Sequence, residues 1–402
     1  MKQPAILDGP PAFPEGLPFA RPYTPPLERV TARLAPSYEA GMLTNGPVVR
    51  VLEELAAERL GVDHVVAVSS CTAGLMLSIQ ALCPEGPVLL PSFTFSASGH
   101  AVVWNGNRPL FAECDPRSFQ LDLDDAKGRI DEAGAILATH VFGAPCAPDE
   151  VERLGQSRGL PVIFDAAHGF GGVHQGRPLG GFGDAEVFSL SPTKLVVAGE
   201  GGLVATRHAD LAERLRVGRD YGNPGDYDTR FVGLNARMSE FHAAMAVESM
   251  ALLDEQLARR TAVAERYGAG LANAPGIAVQ SIPSGDTSTY KDFSIIVDEA
   301  ALGLTRDQLV AGLAAEGIGT RNYFDPPVHR QQAYAGLKCN PLPVTDDVSS
   351  RVTSLPMFGR LPLDAADQVI ECILGLHHHA GAVTARVRDF ESGSEYENRS
   401  GN

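Results

Sequence analysis

The sequence predicts an α/β fold in which a mostly parallel sheet is covered by helices on both faces and is followed by a smaller α+β domain. From residue 65 to about residue 206, short runs of β-branched and aliphatic residues alternate with helical stretches. Continuous apolar strands separated by helices are typical of a parallel sheet that is buried on both faces. The chain has 402 residues and is 44% hydrophobic, so it can bury a core of this size.

The first thirty residues are rich in proline and glycine and show no sustained period, which predicts an extended N-terminal arm over residues 1–30. The stretch "TNGPVVRVLEELAAERLG" follows, with apolar residues at helical spacing. We expect Asn45 to cap this helix and Gly61 to end it.

The strands of the large domain are predicted in chain order, with helical stretches such as "TAGLMLSIQAL" and "DEVERLGQSRG" between them. The predicted strands are "VVAVS", "PVLLP", "PLFAECD", "AILATHVF", "PVIFDAAH", "AEVFSLS" and "GGLVATR". This alternation places the large domain at residues 31–250.

The second half of the chain is a sparser mixture. A long helical pattern after Ser239 runs to about Arg260, and we expect it to connect two domains. "YKDFSIIV" and "IGTRNYF" are predicted strands, Thr305 and Gln308 form a capping-box pattern, and "DAADQVIECILGL" is a predicted last helix. These signals predict a small α+β domain over residues 251–383, followed by a disordered polar tail over residues 384–402.

Composition limits the classes of partner. The formal net charge of −16 argues against nucleic acid and anionic membranes, because both are bound through clustered lysine and arginine. No apolar run approaches the ~20 residues of a membrane span, and the apolar stretch at the N-terminus is too short for a signal peptide. We therefore expect a cytoplasmic protein. The six cysteines form no C-x-x-C pair, and no metal site is predicted.

Two stretches place polar groups where a parallel sheet binds ligands. "PVIFDAAH" ends in Asp165 and His168, beyond the carboxyl end of a strand. Taken singly, a capping aspartate and a structural histidine are the simpler interpretation. "SSCTAG" joins a strand to a helix, where backbone amides with the hydroxyls of Ser70 and Thr72 favour an anion such as phosphate. Ordinary N-capping is the alternative.

The stretch "FSLSPTKLVVAGEGG" contains Lys194, one of five lysines beside 28 arginines. A partly buried lysine can form a Schiff base with an aldehyde, which is the chemistry of pyridoxal phosphate enzymes. A single lysine is more often a solvated surface residue. Here the chain order favours the cofactor: an anion site, then Asp165 with His168, then Lys194 before a glycine turn. Asp165 would keep the pyridine nitrogen protonated.

Nine stretches in order match one known family, from Arg29 to Leu376. They are "LTNGPVVRVLEELAAERLG", "VAVSSCTAGL", "PSFTFSASGHAV", "THVFGAPCAPDEV", "FDAAHGFGG", "FSLSPTKLVVAGEGG", "GLNARMSEFHAAMA", "GIGTRNYFDPPVH" and "SLPMF". On these the sequence resembles the nucleotide-sugar aminotransferases of fold type I, the DegT/DnrJ/EryC1/StrS family. The resemblance implies a seven-stranded sheet in the large domain, pyridoxal 5'-phosphate as cofactor and a transaminase activity.

The resemblance also implies roles for single residues. Lys194 matches the lysine that forms the Schiff base and then moves a proton between the substrate carbon and C4′ of the cofactor. Asp165 matches the partner of the pyridine nitrogen, and His168 matches the group near the ring hydroxyl. Phe95 matches the aromatic residue that stacks on the ring.

Other positions match the phosphate, the neighbouring subunit and the substrate. The phosphate-binding residues are matched by Cys71 and Thr72, through their backbone amides, and by Ser189. Asn235 matches a residue lent by the neighbouring subunit, which implies that the site is complete only in a homodimer. Tyr323 and His329, in "NYFDPPVHR", match a segment near the sugar nucleotide and are candidate substrate contacts. A structural loop held by two prolines is an equal alternative for both.

The motif details narrow the implied substrate. Cys71 stands where many members of the family have glycine. The motifs "SCTAGL" and "TRNYF" resemble those of the 4-aminotransferases of antibiotic deoxysugar pathways. This implies transfer of an amino group from L-glutamate to C4 of a TDP-4-keto-(6-deoxy)sugar, in antibiotic or glycan deoxyaminosugar biosynthesis. Amination of a 3-keto sugar or of a cyclitol ketone such as keto-inositol is the alternative. A non-catalytic binding protein fits less well because the full catalytic set is present. A dinucleotide dehydrogenase also fits less well, because "GFGGVHQG" departs from the G-x-G-x-x-G spacing.

Overall fold

The structure, a computed structural model, describes residues 2–83 and 85–399, with side chains up to residue 389. Strands β1 to β9 belong to the N-terminal part of the chain and β10 to β12 to the C-terminal part. Their bounds are β1 His64–Val68, β2 Val88–Pro91, β3 Pro109–Ala112, β4 Ala135–Thr139, β5 Val162–Asp165, β6 Val173–His174, β7 Arg177–Pro178, β8 Ala185–Ser189, β9 Gly202–Thr206, β10 Ile277–Val279, β11 Phe293–Val297 and β12 Val352–Leu355.

Helices precede, separate and follow these strands. Their bounds are α1 Leu27–Glu39, α2 Pro47–Leu60, α3 Cys71–Leu82, α4 Ser96–Trp104, α5 Leu123–Arg129, α6 Pro148–Gln156, α7 Ala209–Gly218, α8 Glu240–Met250, α9 Leu253–Leu271, α10 Glu299–Leu302, α11 Arg306–Ala315, α12 Pro343–Arg351, α13 Leu363–His378 and α14 Ala380–Arg399. Short 3-10 turns occur at Ala5–Leu7, Ile130–Glu132, Val141–Gly143, Val328–Arg330 and Gln332–Tyr334. In the part of the chain that the structure describes, no helix has both the length and the hydropathy of a membrane span.

The central sheet has seven strands in the order β1-β9-β8-β5-β4-β2-β3. Neighbours from β8 through β3 run parallel, whereas β9 is antiparallel to both β1 and β8. The predicted α/β fold with a mostly parallel seven-stranded sheet is confirmed. Ser189 at the end of β8 pairs with Gly202 at the start of β9. The chain between them carries Lys194 and forms a loop at the carboxyl end of β8.

Helices cover both faces of this sheet because successive strand residues point to opposite sides. Leu137 of β4 packs in one buried cluster with Leu75 of α3 and Ala101 of α4. Its neighbour Ile136 packs in another cluster with Val151 of α6. The near-continuous apolar strands of the sequence are thus explained by burial on two faces.

Helix α2 is capped from outside its own segment. The buried carboxylate of Glu240, at the start of α8, accepts hydrogen bonds of 2.9 to 3.0 Å from the amides of Gly46, Val48 and Val49. Asn45 has a left-handed backbone with φ of 49° and is not the cap residue, which is Gly46. The predicted cap was therefore wrong, because a distant carboxylate takes the place of the local side chain. Gly61 ends the helix as predicted.

The C-terminal part packs α9, α11 and α13 on the antiparallel sheet β10-β11-β12. The helical run predicted after Ser239 is two helices, α8 and α9, with a break at residues 251–252. The capping box of Thr305 and Gln308 is present. The predicted strand "IGTRNYF" does not form; in this segment Arg321 makes an isolated bridge to Ser354.

The first and the last segments that the structure describes both lie on this C-terminal part. In the arm, Leu17 bridges Ile318, and the amides of Ala5 and Ala12 donate to the Glu316 carboxylate. The segment predicted as a disordered tail is helical up to residue 399, within α14, where Val383 and Val387 pack on the apolar cluster. Val387 lies in the predicted tail and makes this apolar contact although the tail is mostly polar. Residues 400–402 lie outside the described residues.

Candidate active site

A cavity of about 310 Å³ lies at the carboxyl ends of the central strands, between the sheet and the start of β11. Its lining combines residues from both halves of the chain. Among them are eight of the predicted site residues: Cys71, Thr72, Phe95, Asp165, His168, Ser189, Lys194 and Tyr323.

Lys194 is held by the connection between β8 and β9, where its amide donates to the carbonyl of Ser191 at 3.0 Å. Burial, and after it the nearby ammonium of Lys291, lower the pKa of its amino group to about 8. An amine with this pKa is neutral more often at ordinary pH than a surface lysine, so it is a better nucleophile and base.

Asp165 ends β5 and is only 4% exposed. Its Oδ2 accepts a hydrogen bond of 2.6 Å from the Ser98 hydroxyl, and its Oδ1 accepts one of 3.1 Å from the Ala167 amide. Burial raises the pKa of the carboxyl, while these two hydrogen bonds act in the opposite direction. A cation placed against it, such as a protonated ring nitrogen, would stabilise the ionised form.

His168 presents a ring nitrogen that has no partner among the described residues. Within the described chain its buried Nδ1 makes no hydrogen bond, and its backbone carbonyl accepts one of 2.6 Å from the Thr289 hydroxyl. Burial lowers the pKa of the imidazole well below its ordinary value, and the positive charge of Lys194 adds to this. A neutral imidazole with a free nitrogen can hydrogen-bond a polar group of a bound molecule.

The start of α3 lies at one end of the cavity. Ser70 caps the helix by accepting a hydrogen bond from the Ala73 amide. The amides of Cys71 and Thr72 have no intrahelical acceptor, because they are the first two of the helix. Gly202 lies so close that a Cβ there would be 2.6 Å from the Cys71 nitrogen. Backbone amides at a helix start, with Ser189 beside them in the cavity lining, favour a phosphate.

Two aromatic residues line the remaining wall. Phe95 precedes α4 and is 57% exposed, so its ring is free to stack on a flat ligand ring. Tyr323 packs edge-on against Phe19, with ring centroids 5.8 Å apart, and burial raises the pKa of its hydroxyl.

Two predicted residues do not line the cavity of this chain. Asn235 is exposed and pairs through its backbone with Asp220. His329 is buried elsewhere: its Nδ1 lies 2.7 Å from the Ser92 hydroxyl and its Nε2 lies 3.2 Å from Asp346. These contacts favour the alternative interpretation, in which His329 holds a structural loop. They do not favour the expected contact with a substrate.

Residues in the cavity lining and directly behind it were not predicted from the sequence. Ser98 supports Asp165, and Lys291 with Asp292 forms an ion pair in the cavity wall. Lys291 is one of the five lysines, and the rarity that draws attention to Lys194 applies equally to it. The hydroxyl of Ser98 gave no comparable signal, since serine is common at helix starts.

The lining residues fit pyridoxal phosphate. The cavity has the amides of a helix start at one end, a buried carboxylate, an exposed aromatic ring and a lysine of lowered pKa. It also has a histidine nitrogen that finds no partner among the described residues. When bound, the cofactor supplies an aldehyde that reacts with amines and a ring that withdraws electrons from the substrate carbon.

Comparison with known proteins agrees with this site. Residues 27–374 match the model of the DegT/DnrJ/EryC1/StrS aminotransferase family. A crystal structure of DesI in the presence of its TDP-sugar product is 37% identical, with a TM-score of 0.90 over 96% of this chain and 98% of that one. DesV of S. venezuelae is 31% identical, with a TM-score of 0.82 over 87% and 95% of the two chains.

A relative known by sequence extends the comparison. The spore coat polysaccharide biosynthesis protein SpsC of Bacillus subtilis is 30% identical over 373 residues, which cover 88% of this chain and 96% of SpsC. The family match spans most of the chain, and the chain covers nearly the full length of these relatives. The chain therefore belongs to the DegT/DnrJ/EryC1/StrS aminotransferase family and is a pyridoxal phosphate-dependent transaminase.

Proposed function

We propose that Lys194 holds the cofactor covalently through Nζ and then, when released by an incoming amine, carries a proton between the substrate carbon and C4′. Its lowered pKa supports this role, because the free amine must accept a proton in one step and return it in the next. Asp165 holds the proton on the ring nitrogen, and its burial away from water strengthens that interaction.

The other lining residues bind and orient the cofactor in this proposal. The amides of Cys71 and Thr72 and the hydroxyl of Ser189 bind the phosphate. Phe95 stacks on the ring, and His168 hydrogen-bonds near the ring hydroxyl through the nitrogen that has no partner in the described chain. Tyr323, which lines the same cavity, is the proposed substrate contact.

For the reaction, we propose transfer of the amino group of L-glutamate to C4 of a TDP-4-keto-(6-deoxy)sugar. The observation that carries this proposal is the likeness to DesI, described with its TDP-sugar product, at 37% identity and a TM-score of 0.90. The motifs "SCTAGL" and "TRNYF" support the 4-keto position. Such a reaction belongs to deoxyaminosugar biosynthesis for an antibiotic or a glycan.

An amino-transfer assay with three acceptors tests this substrate. The holoenzyme is incubated with ¹⁵N-labelled L-glutamate and TDP-4-keto-6-deoxyglucose, a TDP-3-keto-6-deoxyhexose or keto-inositol, and the products are analysed by mass spectrometry and NMR. We expect the label on C4 of the first acceptor. Preferential labelling of the 3-keto sugar or of the cyclitol would replace the proposal with that alternative. Lys194→Ala serves as the inactive control.

We also propose a homodimer in which Asn235 of one protomer completes the site of the other. Asn235 is exposed and outside the cavity of its own chain, which supports a role toward a second copy. Cytoplasmic location remains a prediction from the sequence.

A further inference from the structure

A second lysine lies in the wall of the active-site cavity. Lys291 and Asp292 immediately precede β11 and are 4% and 3% exposed. The Nζ of Lys291 donates to the Oδ1 of Asp292 at 2.7 Å, so the two residues form a buried ion pair. The desolvation energy of a buried ion pair can exceed the attraction between its two charges. Stabilisation of the fold alone therefore does not explain why this pair is buried here.

The backbone around this pair is fixed on two sides. The buried guanidinium of Arg260 donates to the carbonyls of Tyr290 and Lys291, each at 3.0 Å. On the other side, the amide of Thr289 donates to the Gly143 carbonyl, and its hydroxyl donates to the carbonyl of His168. The pair is therefore held in a set position relative to the loop that carries His168.

The two charges of the pair act on different neighbours. The Lys291 ammonium opposes protonation of both Lys194 and His168. The Asp292 carboxylate raises the pKa of Tyr323 and also acts on Lys194, where its effect is smaller than that of Lys291. The net effect of the pair on Lys194 is therefore that of the Lys291 ammonium. Water screens this effect little, because the site is buried.

The other charged and titratable groups around Lys194 come from several elements. Asp165 at the end of β5 and Cys71 at the start of α3 both act to raise its pKa, while the histidine of the β5 loop is neutral at ordinary pH. Glu200 and Tyr323 also line the cavity. Among the described groups, Lys291 is the one whose charge lowers the proton affinity of Lys194 from within the cavity wall.

We propose that Lys291 is a positioning residue that acts through its charge to disfavour protonation of the amino group of Lys194, and that Asp292 fixes Lys291 in place and moderates its effect. This inference rests on the proposed covalent role of Lys194. Its consequence is that a larger fraction of the lysine released during turnover is unprotonated and able to accept a proton.

The test is a pH titration of the visible absorbance band of the covalently bound cofactor, whose protonation involves the nitrogen of Lys194. Lys291→Met removes the positive charge, so the midpoint should rise by about one pH unit, the lower end of what a nearby charge does in a partly buried site. Lys291→Met combined with Asp292→Asn removes both charges, and the midpoint should rise by less. Lys291→Arg keeps the charge and should retain the wild-type midpoint.

Lys127→Met is the matched control, since Lys127 is an exposed lysine paired with Asp124 on α5. It should leave the midpoint unchanged. Unshifted midpoints in both Lys291→Met and the double variant would overturn the inference. An equal shift in Lys291→Arg would also overturn it, because packing rather than charge would then be responsible.

The design separates this inference from the proposed role of Lys194. If Lys194→Ala retains the covalent band, the assignment of Lys194 fails and not merely the effect of Lys291. Circular dichroism of each apoprotein checks folding. If Lys291→Met does not fold, the double variant decides, since removing both partners of a buried pair is milder than removing one.

Discussion

At the scale of single residues, the active site depends on groups whose charges are controlled by burial. Lys194, Asp165 and His168 all have pKa values displaced from their ordinary range, and burial is the largest cause for each. Displaced pKa values in a shared cavity are typical of functional sites. Here they leave an amine that is easily deprotonated beside a neutral imidazole.

The rate of cofactor capture should follow the titration of Lys194. Below a pKa of about 8 the amine is protonated and cannot attack an aldehyde, so the rate should fall by roughly tenfold per pH unit below that value and level off above it. Stopped-flow absorbance after mixing apoprotein with pyridoxal phosphate measures this rate. Capture by a free lysine derivative corrects for titration of the cofactor. A corrected profile that is still rising well above pH 8 would contradict the lowered pKa.

Ser98→Ala should slow the reaction with the amino donor. The substitution removes the 2.6 Å hydrogen bond to Oδ2 of Asp165, and hydrogen bonds to charged groups contribute about 1.5–3 kcal/mol. We expect single-turnover reaction with L-glutamate to slow by about tenfold, one factor of ten corresponding to about 1.4 kcal/mol. Ser78→Ala, which removes a buried serine hydroxyl bonded to the Gly74 carbonyl in α3, is the control. Equal rates in Ser98→Ala and wild type would show that Asp165 does not need this support.

The sequence allowed the main site residues to be predicted because their order along the chain is informative. Asp165 ends β5, while Lys194 and the start of α3 follow the carboxyl ends of β8 and β1. The carboxyl ends of parallel strands meet at one edge of the sheet. Ser98 and Lys291 could not be assigned in this way. Their importance comes from a partner that only the folded chain brings near, Asp165 for the first and the cavity wall for the second.

At the scale of elements, helix boundaries were predictable where the signal was local and not where it was distant. The capping box of α11 and the end of α2 at Gly61 follow from neighbouring residues. The cap of α2 comes from Glu240, which is far away in the chain. Helix α1 was missed because Pro36 interrupts its pattern, yet the helix packs against α8. Tertiary contacts thus decide the elements that local propensity leaves open.

Gly202→Ala tests how closely β9 approaches the anion site. A Cβ at this position would lie 2.6 Å from the Cys71 nitrogen and 2.7 Å from the Ser70 carbonyl carbon, so the strand and helix must separate. We expect a loss of about 1–3 kcal/mol in stability and weaker cofactor binding. Thermal denaturation and equilibrium titration with pyridoxal phosphate measure the two effects.

Gly268→Ala is the control for that substitution. It lies in α9, where a Cβ meets no atom within 4 Å. The variant should be more stable by about 0.5–1 kcal/mol, because alanine favours the helix, and should bind the cofactor normally. If Gly202→Ala behaved like Gly268→Ala, the close approach would have no role in the anion site.

At the scale of the whole molecule, the site is assembled from both halves of the chain and, in our proposal, from two chains. The N-terminal half supplies the residues that we propose bind the cofactor, while Lys291, Asp292 and Tyr323 come from the C-terminal half. The arrangement of the halves could not be predicted from sequence periodicity, which describes single elements. The exposed position of Asn235 agrees with a function toward a second protomer.

Mixing two inactive variants tests that shared site. Lys194→Ala and Asn235→Ala homodimers should each have little activity. After unfolding and refolding together, a mixed dimer contains one site with both Lys194 and Asn235, so about a quarter of the wild-type activity should return for random pairing of equal amounts. The assay is amino transfer from L-glutamate. No recovery in a mixture shown to contain mixed dimers would place the function of Asn235 within its own protomer.

The most direct test of the active-site assignment is to map the residue that binds the cofactor. Sodium borohydride reduction of the holoenzyme fixes the cofactor to the lysine nitrogen, and peptide mass spectrometry then locates it. The cavity wall contains two lysines, Lys194 and Lys291, so the result distinguishes between them. We expect the phosphopyridoxyl group on Lys194. Its recovery on Lys291, or on a lysine outside the cavity, would contradict the assignment.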